Sequence, residues 1–141
     1  MGTVMTKLAM WNNTDLEDAN RGLVPPNAVR SVTLEALVDT GAMTLVIPEE
    51  AARALGLSLI GHRPATLADG TKRQIPVMGA LRIEILGRQM ICDALVTPAG
   101  TTALIGQIPL EELDLIVDPG SREARVRSPD GPPAWLLRLA A

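Results

Sequence analysis

Phenylalanine and tyrosine are absent from this 141-residue chain, and tryptophan occurs only at Trp11 and Trp135. The 47% hydrophobic fraction is therefore almost entirely Leu, Ile, Val, Ala and Met, which favours an aliphatic, β-rich core. The same absence removes the aromatic platforms on which unpaired bases stack. Charge of either sign is never concentrated: 13 basic residues against 16 acidic ones give a net charge of −3, with no long run. Binding to phosphate backbones depends on clustered Lys and Arg, so nucleic acid is not an expected partner. Cysteine is limited to Cys92 and histidine to His62, which excludes an internal disulfide and leaves too few ligands for a zinc site. No metal or other cofactor is expected. Apolar runs of the roughly 18 residues needed for a membrane span are missing. Residues 1–20 carry no continuous apolar stretch of signal-peptide type, and the expectation is a soluble, cytoplasmic protein.

What is present reads as one domain of many short strands. Val4, Leu8 and Met10 alternate with Met5, Lys7 and Ala9 in a first strand that Asn12 and Asn13 close. Residues 12–27, with Asp15, Asp18, Gly22, Pro25 and Pro26, read as a loop. Val32, Leu34, Ala36 and Val38 then recur at period two and lead directly into Asp39. Leu45, Val46 and Ile47 precede Pro48, Glu49 and Glu50, and the segment ends at Gly56; proline and two acids in the first turn and glycine after the last mark a short helix. Strands at 65–67 and 74–78 flank Asp69 and Gly70, a hairpin-turn signal. A further hairpin joins the alternating Leu81, Ile83 and Ile85 to residues 90–96 through Gly87. Leu104 and Ile105 end at Gly106 before a second short helix near Pro109, and residues 115–117 and 125–127 form the last strands. Such a pattern predicts a mainly β, barrel-like or sandwich-like domain with one or two short helices. The passages Leu37-Val38-Asp39-Thr40-Gly41 and Ala103-Leu104-Ile105-Gly106 echo one another, each taking an apolar strand into a glycine turn, which points to two related halves.

Leu37-Val38-Asp39-Thr40-Gly41-Ala42 resembles the active-site motif of the retropepsin-like aspartic proteases, the single-domain proteases of clan AA. The order of landmarks over residues 30–118 agrees: the Asp at a strand end, a helix, a hairpin, then a hydrophobic-hydrophobic-Gly turn before the last helix. The resemblance implies a closed β-barrel that works as a homodimer. Asp39, Thr40 and Gly41 would be its catalytic residues. Ala42, the hairpin residues Ala68, Asp69, Gly70 and Thr71, and Ile105 with Gly106 would line the substrate site. The expected substrate is an extended polypeptide, over which the hairpin would close as a flap.

The chemistry needs two carboxylates. Hydrolysis at a paired-acid site uses one ionised Asp as the base on a water and one protonated Asp as the acid toward the carbonyl, with the pair sharing a proton because like charges repel. Asp-Thr-Gly occurs once and the echo at Ile105 has no Asp, so each chain supplies one carboxylate and a two-fold dimer must supply the second. Gly41 suits a turn whose amides approach the carboxylate, and Thr40 would, by resemblance, hydrogen-bond across the interface.

Plainer readings stand beside these. The tetrad at 39–42 also fits an ordinary turn in which Gly41 supplies a positive φ, and Asp69-Gly70 also fits a simple exposed turn. A dimeric peptide-binding module of the same fold, with little or no proteolysis, is the alternative function. His62 is expected in solvent and Cys92 in the core. The domain is placed at 1–127, and the proline-containing tail at 128–141, with Trp135 and Leu136, is expected to pack on the domain or on the dimer partner.

Overall fold

Alternation along the chain translates directly into strands whose every second side chain enters one core. In a computed structural model the described residues are 3–118 and 120–127. The expected tail at 128–141 lies outside them. Strand β1 (Met5–Asn12) turns Thr6, Leu8, Met10 and Asn12 inward. Strand β2 (Ser31–Val38) buries Ala36 and Val38, and β3 (Leu45–Pro48) is buried along its whole length. The outer hairpin pairs β4 (Ser58–Thr66) with β5 (Lys72–Ile85), which continues into pairing with β6 (Arg88–Thr97). A short β7 (Ala103–Ile105) completes the set.

These strands close. Their order is β1-β2-β7-β3-β6-β5, and β5 returns to pair with β1 through Ala9 with Glu84 and Met10 with Ile83, leaving β4 outside the ring as a second neighbour of β5. The barrel implied by the resemblance is thus present, with six strands and few short helices. Inside it Leu8, Met10, Leu45, Ile47, Leu81, Ile83, Ile85 and Ile105 are fully buried. Each aliphatic side chain so placed contributes about 1.5–3 kcal/mol, which is how a core without Phe or Tyr is held. A separate two-stranded hairpin, β8 (Leu115–Asp118) with β9 (Glu123–Val126), follows the barrel.

Three expectations need correction. Residues 12–27 are not all loop, because helix α1 (Asn13–Asn20) occupies their first half. Asn12 caps it: its side-chain oxygen accepts the Asp15 amide at 3.0 Å, while its Nδ2 donates to the Leu55 carbonyl at 2.9 Å. With α2 (Glu49–Leu55) and α3 (Gln107–Glu112), the described residues hold three α-helices, where one or two were expected. The pieces at 74–78 and 81–85 are likewise one strand, β5, whose irregular pairing with β6 between Met78 and Leu81 lets it exchange β4 for β1 as its neighbour. A bulge of this kind redirects a strand without ending it.

Helix α2 forms where its terminus signals place it. Pro48 precedes it, Glu49 and Glu50 fill the first turn, and Gly56 closes it in a left-handed conformation at φ 63°. Its Ala51, Ala52 and Leu55 face the barrel. The chain between β2 and this helix is therefore anchored at both ends, and it is there that Asp39 sits.

Candidate active site

The Asp39 turn begins where β2 runs out. Strand β2 lies parallel to β7, with Leu37 opposite Leu104 and Val38 opposite Ile105, so the two echoing passages of the sequence end side by side. The Asp39 amide donates to the Ile105 carbonyl at 3.0 Å, which extends that ladder by one bond and fixes the direction in which the turn leaves the sheet. The Ala42 amide donates back to the Asp39 carbonyl at 3.1 Å and closes the turn.

Within it, Asp39 is half-buried and its Oδ1 accepts the Gly41 amide at 2.9 Å. Such a donor holds the plane of the carboxylate. A Cβ on Gly41 would stand 3.2 Å from the same oxygen, tighter than an ordinary contact, so glycine here admits the amide that grips the acid. Gly41 does not take a positive φ, contrary to the ordinary-turn reading; its requirement comes from that close approach. Thr40 is exposed beside it, and Ala42 is half-buried.

Ile105 and Gly106 lie beneath this turn. The Ile105 side chain is fully buried, and the Gly106 amide donates to the Thr44 carbonyl at 3.0 Å. The next two amides follow suit: Gln107 donates to the Ala42 carbonyl and Ile108 to the Met43 carbonyl, each at 2.9 Å. A Cβ at Gly106 would fall 2.5 Å from the Thr44 carbonyl oxygen and 2.7 Å from that of Ala42, both backbone atoms that cannot swing away. Residues 105–108 thus form the bed of the turn, with Ile105 and Gly106 holding the loop from beneath.

The hairpin residues form a second, separate group. Ala68, Asp69, Gly70 and Thr71 are all exposed at the far end of β4 and β5. Leu67 closes the loop by donating to the Thr71 carbonyl at 2.8 Å, and Gly70 takes φ 84°. Asp69 is occupied locally, its Oδ1 accepting both the Thr71 hydroxyl at 2.6 Å and the Thr71 amide at 2.9 Å. The hydroxyl above all lowers its pKa.

Two features around the turn were not singled out from the sequence. Met43 and Ile108, bonded to each other through their backbones, are 70% and 49% exposed and form an apolar rim next to Asp39. Their signal was available, since each stands two residues after the glycine of one of the two echoing motifs, Gly41 and Gly106. Elsewhere, Cys92 is mostly buried, and burial first, then the Asp93 charge, pushes its thiol up to about 12. Among the described residues no three His, Cys, Asp or Glu side chains group as metal ligands, and no helix is long and apolar enough to cross a membrane.

Compared with known proteins, residues 26–109 match a family model described as aspartyl protease. The matched stretch is more than half of the chain and includes the Asp39 turn, the outer hairpin and the Ile105 to Gly106 bed. No curated protein matches the chain.

Proposed function

The chain belongs to the aspartyl protease family, and from that premise we propose that it hydrolyses peptide bonds in extended polypeptides as a homodimer, with Asp39 of each subunit forming the acid–base pair. The observation that carries this reading is the Asp39 turn: a half-buried carboxylate held by the Gly41 amide and seated on the backbone of residues 105–108. A carboxylate so gripped keeps its position while its partner is brought to it.

Across a two-fold axis the two carboxylates share one proton. The ionised Asp39 takes a proton from a water lying between them as the water oxygen attacks the peptide carbonyl, and the protonated Asp39 gives its proton to the carbonyl oxygen. The resulting tetrahedral diol collapses when one carboxyl gives a proton to the amide nitrogen and the other carboxylate takes one from a diol hydroxyl; the C–N bond breaks, and a carboxylic acid and an amine leave. Thr40, exposed at the edge of the turn, would bond across the interface. The Met43 and Ile108 rim supports the dimer, since apolar surface flanking a polar centre favours burial. The outer hairpin, with its exposed tip, would close over the substrate and exclude water.

The test is cleavage of an unfolded polypeptide from acidic to neutral pH by the protein and by Asp39→Asn. Fragments from the first and none from the second are expected. Peptide binding without cleavage by either protein would replace the protease with a binding module, and equal cleavage by both would place the chemistry elsewhere.

A further inference from the structure

A groove of about 710 Å³ lies between α2, the root of the β4–β5 hairpin and the end of β6. That volume is in the range of pockets that enclose a ligand of drug size. None of residues 39–42 or 68–71 lines it, so it is distinct from the Asp39 turn and from the hairpin tip. Leu57, Leu59 and Met78 give it an apolar floor, and Leu59 is left 58% exposed, a large aliphatic surface facing water beside a concavity. Neighbouring Ile60 is 56% exposed, and among the described residues β4 pairs with β5 alone, so no described strand partners the backbone groups of its outer edge.

The charge around this floor is one-sided. On α2, Glu49 and Arg53 are ion-paired and neutralise each other. Arg73, on the opposite wall, has no ion pair among the described residues, and His62 also lines the groove. From Ser58 to Gly79 the hairpin carries Arg63, Lys72 and Arg73 against the single acid Asp69, a net charge of +2 in a chain whose total is −3. Asp69 is itself held by Thr71 in the hairpin turn. A net basic stretch of an acidic protein therefore borders its groove.

We propose that this groove docks an acidic stretch of extended polypeptide, seating a large aliphatic side chain on Leu57, Leu59 and Met78 and a neighbouring carboxylate on Arg73. Complementary charge selects the acidic partner and speeds its capture, while the aliphatic side chain supplies the burial. A sheet edge beside the groove suits an extended chain. As a docking step for substrate this rests on the protease reading, whereas the binding itself does not.

The experiment uses the full chain carrying Asp39→Asn, so that no probe is cut, and follows the anisotropy of a short fluorescein-labelled peptide in which leucines alternate with glutamates. Saturable binding is expected. A twin with lysine in place of glutamate is expected to bind at least about tenfold more weakly, and Arg73→Glu to weaken the acidic peptide about fivefold. Leu59→Ser should weaken it as well; Arg73 and Leu59 are both exposed, and unchanged circular dichroism would confirm that neither variant has lost its fold. Equal affinity for the acidic and lysine peptides, no binding of either, or indifference to both variants would overturn the proposal. So would a groove that seats a second copy of the chain, seen as a change in sedimentation by Arg73→Glu with no competition from peptide. Cleavage by the unmodified protein, measured separately, decides the protease reading whichever way the anisotropy falls.

Discussion

The amide of Asp39 donates to the carbonyl of Ile105 across 3.0 Å, joining the acid to the passage of sequence that most resembles its own. That bond continues the parallel pairing of Val38 with Ile105, and three further amides, from Gly106 to Ile108, support residues 42–44. The position of the carboxylate is thus set by backbone contacts between two strand ends, with side chains contributing little. Substitutions beneath the turn should therefore matter as much as substitutions within it.

Gly106→Ala tests this. The new methyl would meet backbone atoms of Ala42 and Thr44 at 2.5–2.7 Å, so the Asp39 loop must shift or the strand end must open. A stability loss of about 1–3 kcal/mol in urea unfolding is expected from such overpacking. Any cleavage activity should fall with it even at temperatures where the variant is fully folded, because the loop that carries Asp39 is what moves.

Asn12 offers a test of the fold away from the site. Its oxygen caps α1 and its amide bonds the end of α2 at Leu55, so one buried side chain ties two helices to β1. Asn12→Ala should cost about 2 kcal/mol, roughly one for the cap and one for the carbonyl left without its donor. Urea unfolding followed by circular dichroism measures it.

Acid should loosen the protein through Asp15. Its carboxylate pKa is lowered, chiefly by the Arg30 side-chain hydrogen bond, and Arg30 is bonded to it through both the guanidinium and the amide. A depressed carboxylate contributes stability that is complete above its unfolded value near 3.8 and is lost as pH falls through the lower folded value. Asp15→Asn should consequently be less stable than the parent at neutral pH, and the gap should close below about pH 4. Thermal unfolding across pH 2.5–7 reads it.

Cys92 should be inert in the native protein. With its thiol pushed up to about 12 by burial and then by Asp93, only about one molecule in ten thousand carries a thiolate at pH 8. A chromogenic disulfide reagent at pH 8 should react slowly until denaturant is added, and rapid stoichiometric reaction without denaturant would contradict the burial.

Much of this fold was legible because aliphatic residues at period two mark strands whichever partner they pair with, as in β2 and the second half of β5. Helix α2 was equally plain from Pro48, Glu49, Glu50 and Gly56. Helix α1 was hidden because Asn13–Asn20 holds only Leu16 and Ala19 as apolar residues and so lacks a helical stripe; its signal was the Asn12 cap with Asp15 three residues on. The continuity of β5 was hidden because Gly79 and Ala80 read as a break, although the pairing only shifts there. At the site, the Asp39 turn was legible as a motif. The need for Gly106 was not, since a close approach between segments over 60 residues apart leaves no mark on local pattern.

The proposed symmetric carboxylate pair makes a demand that no single-chain site shares: both subunits would have to carry Asp39. Mixing the active protein with Asp39→Asn under conditions where subunits exchange measures this directly. With equal amounts of the two chains, activity per unmodified chain should fall to about one half, because half of its partners then lack the second acid. Activity per unmodified chain that stays constant at every mixing ratio would show that one Asp39 suffices, and would contradict the shared site.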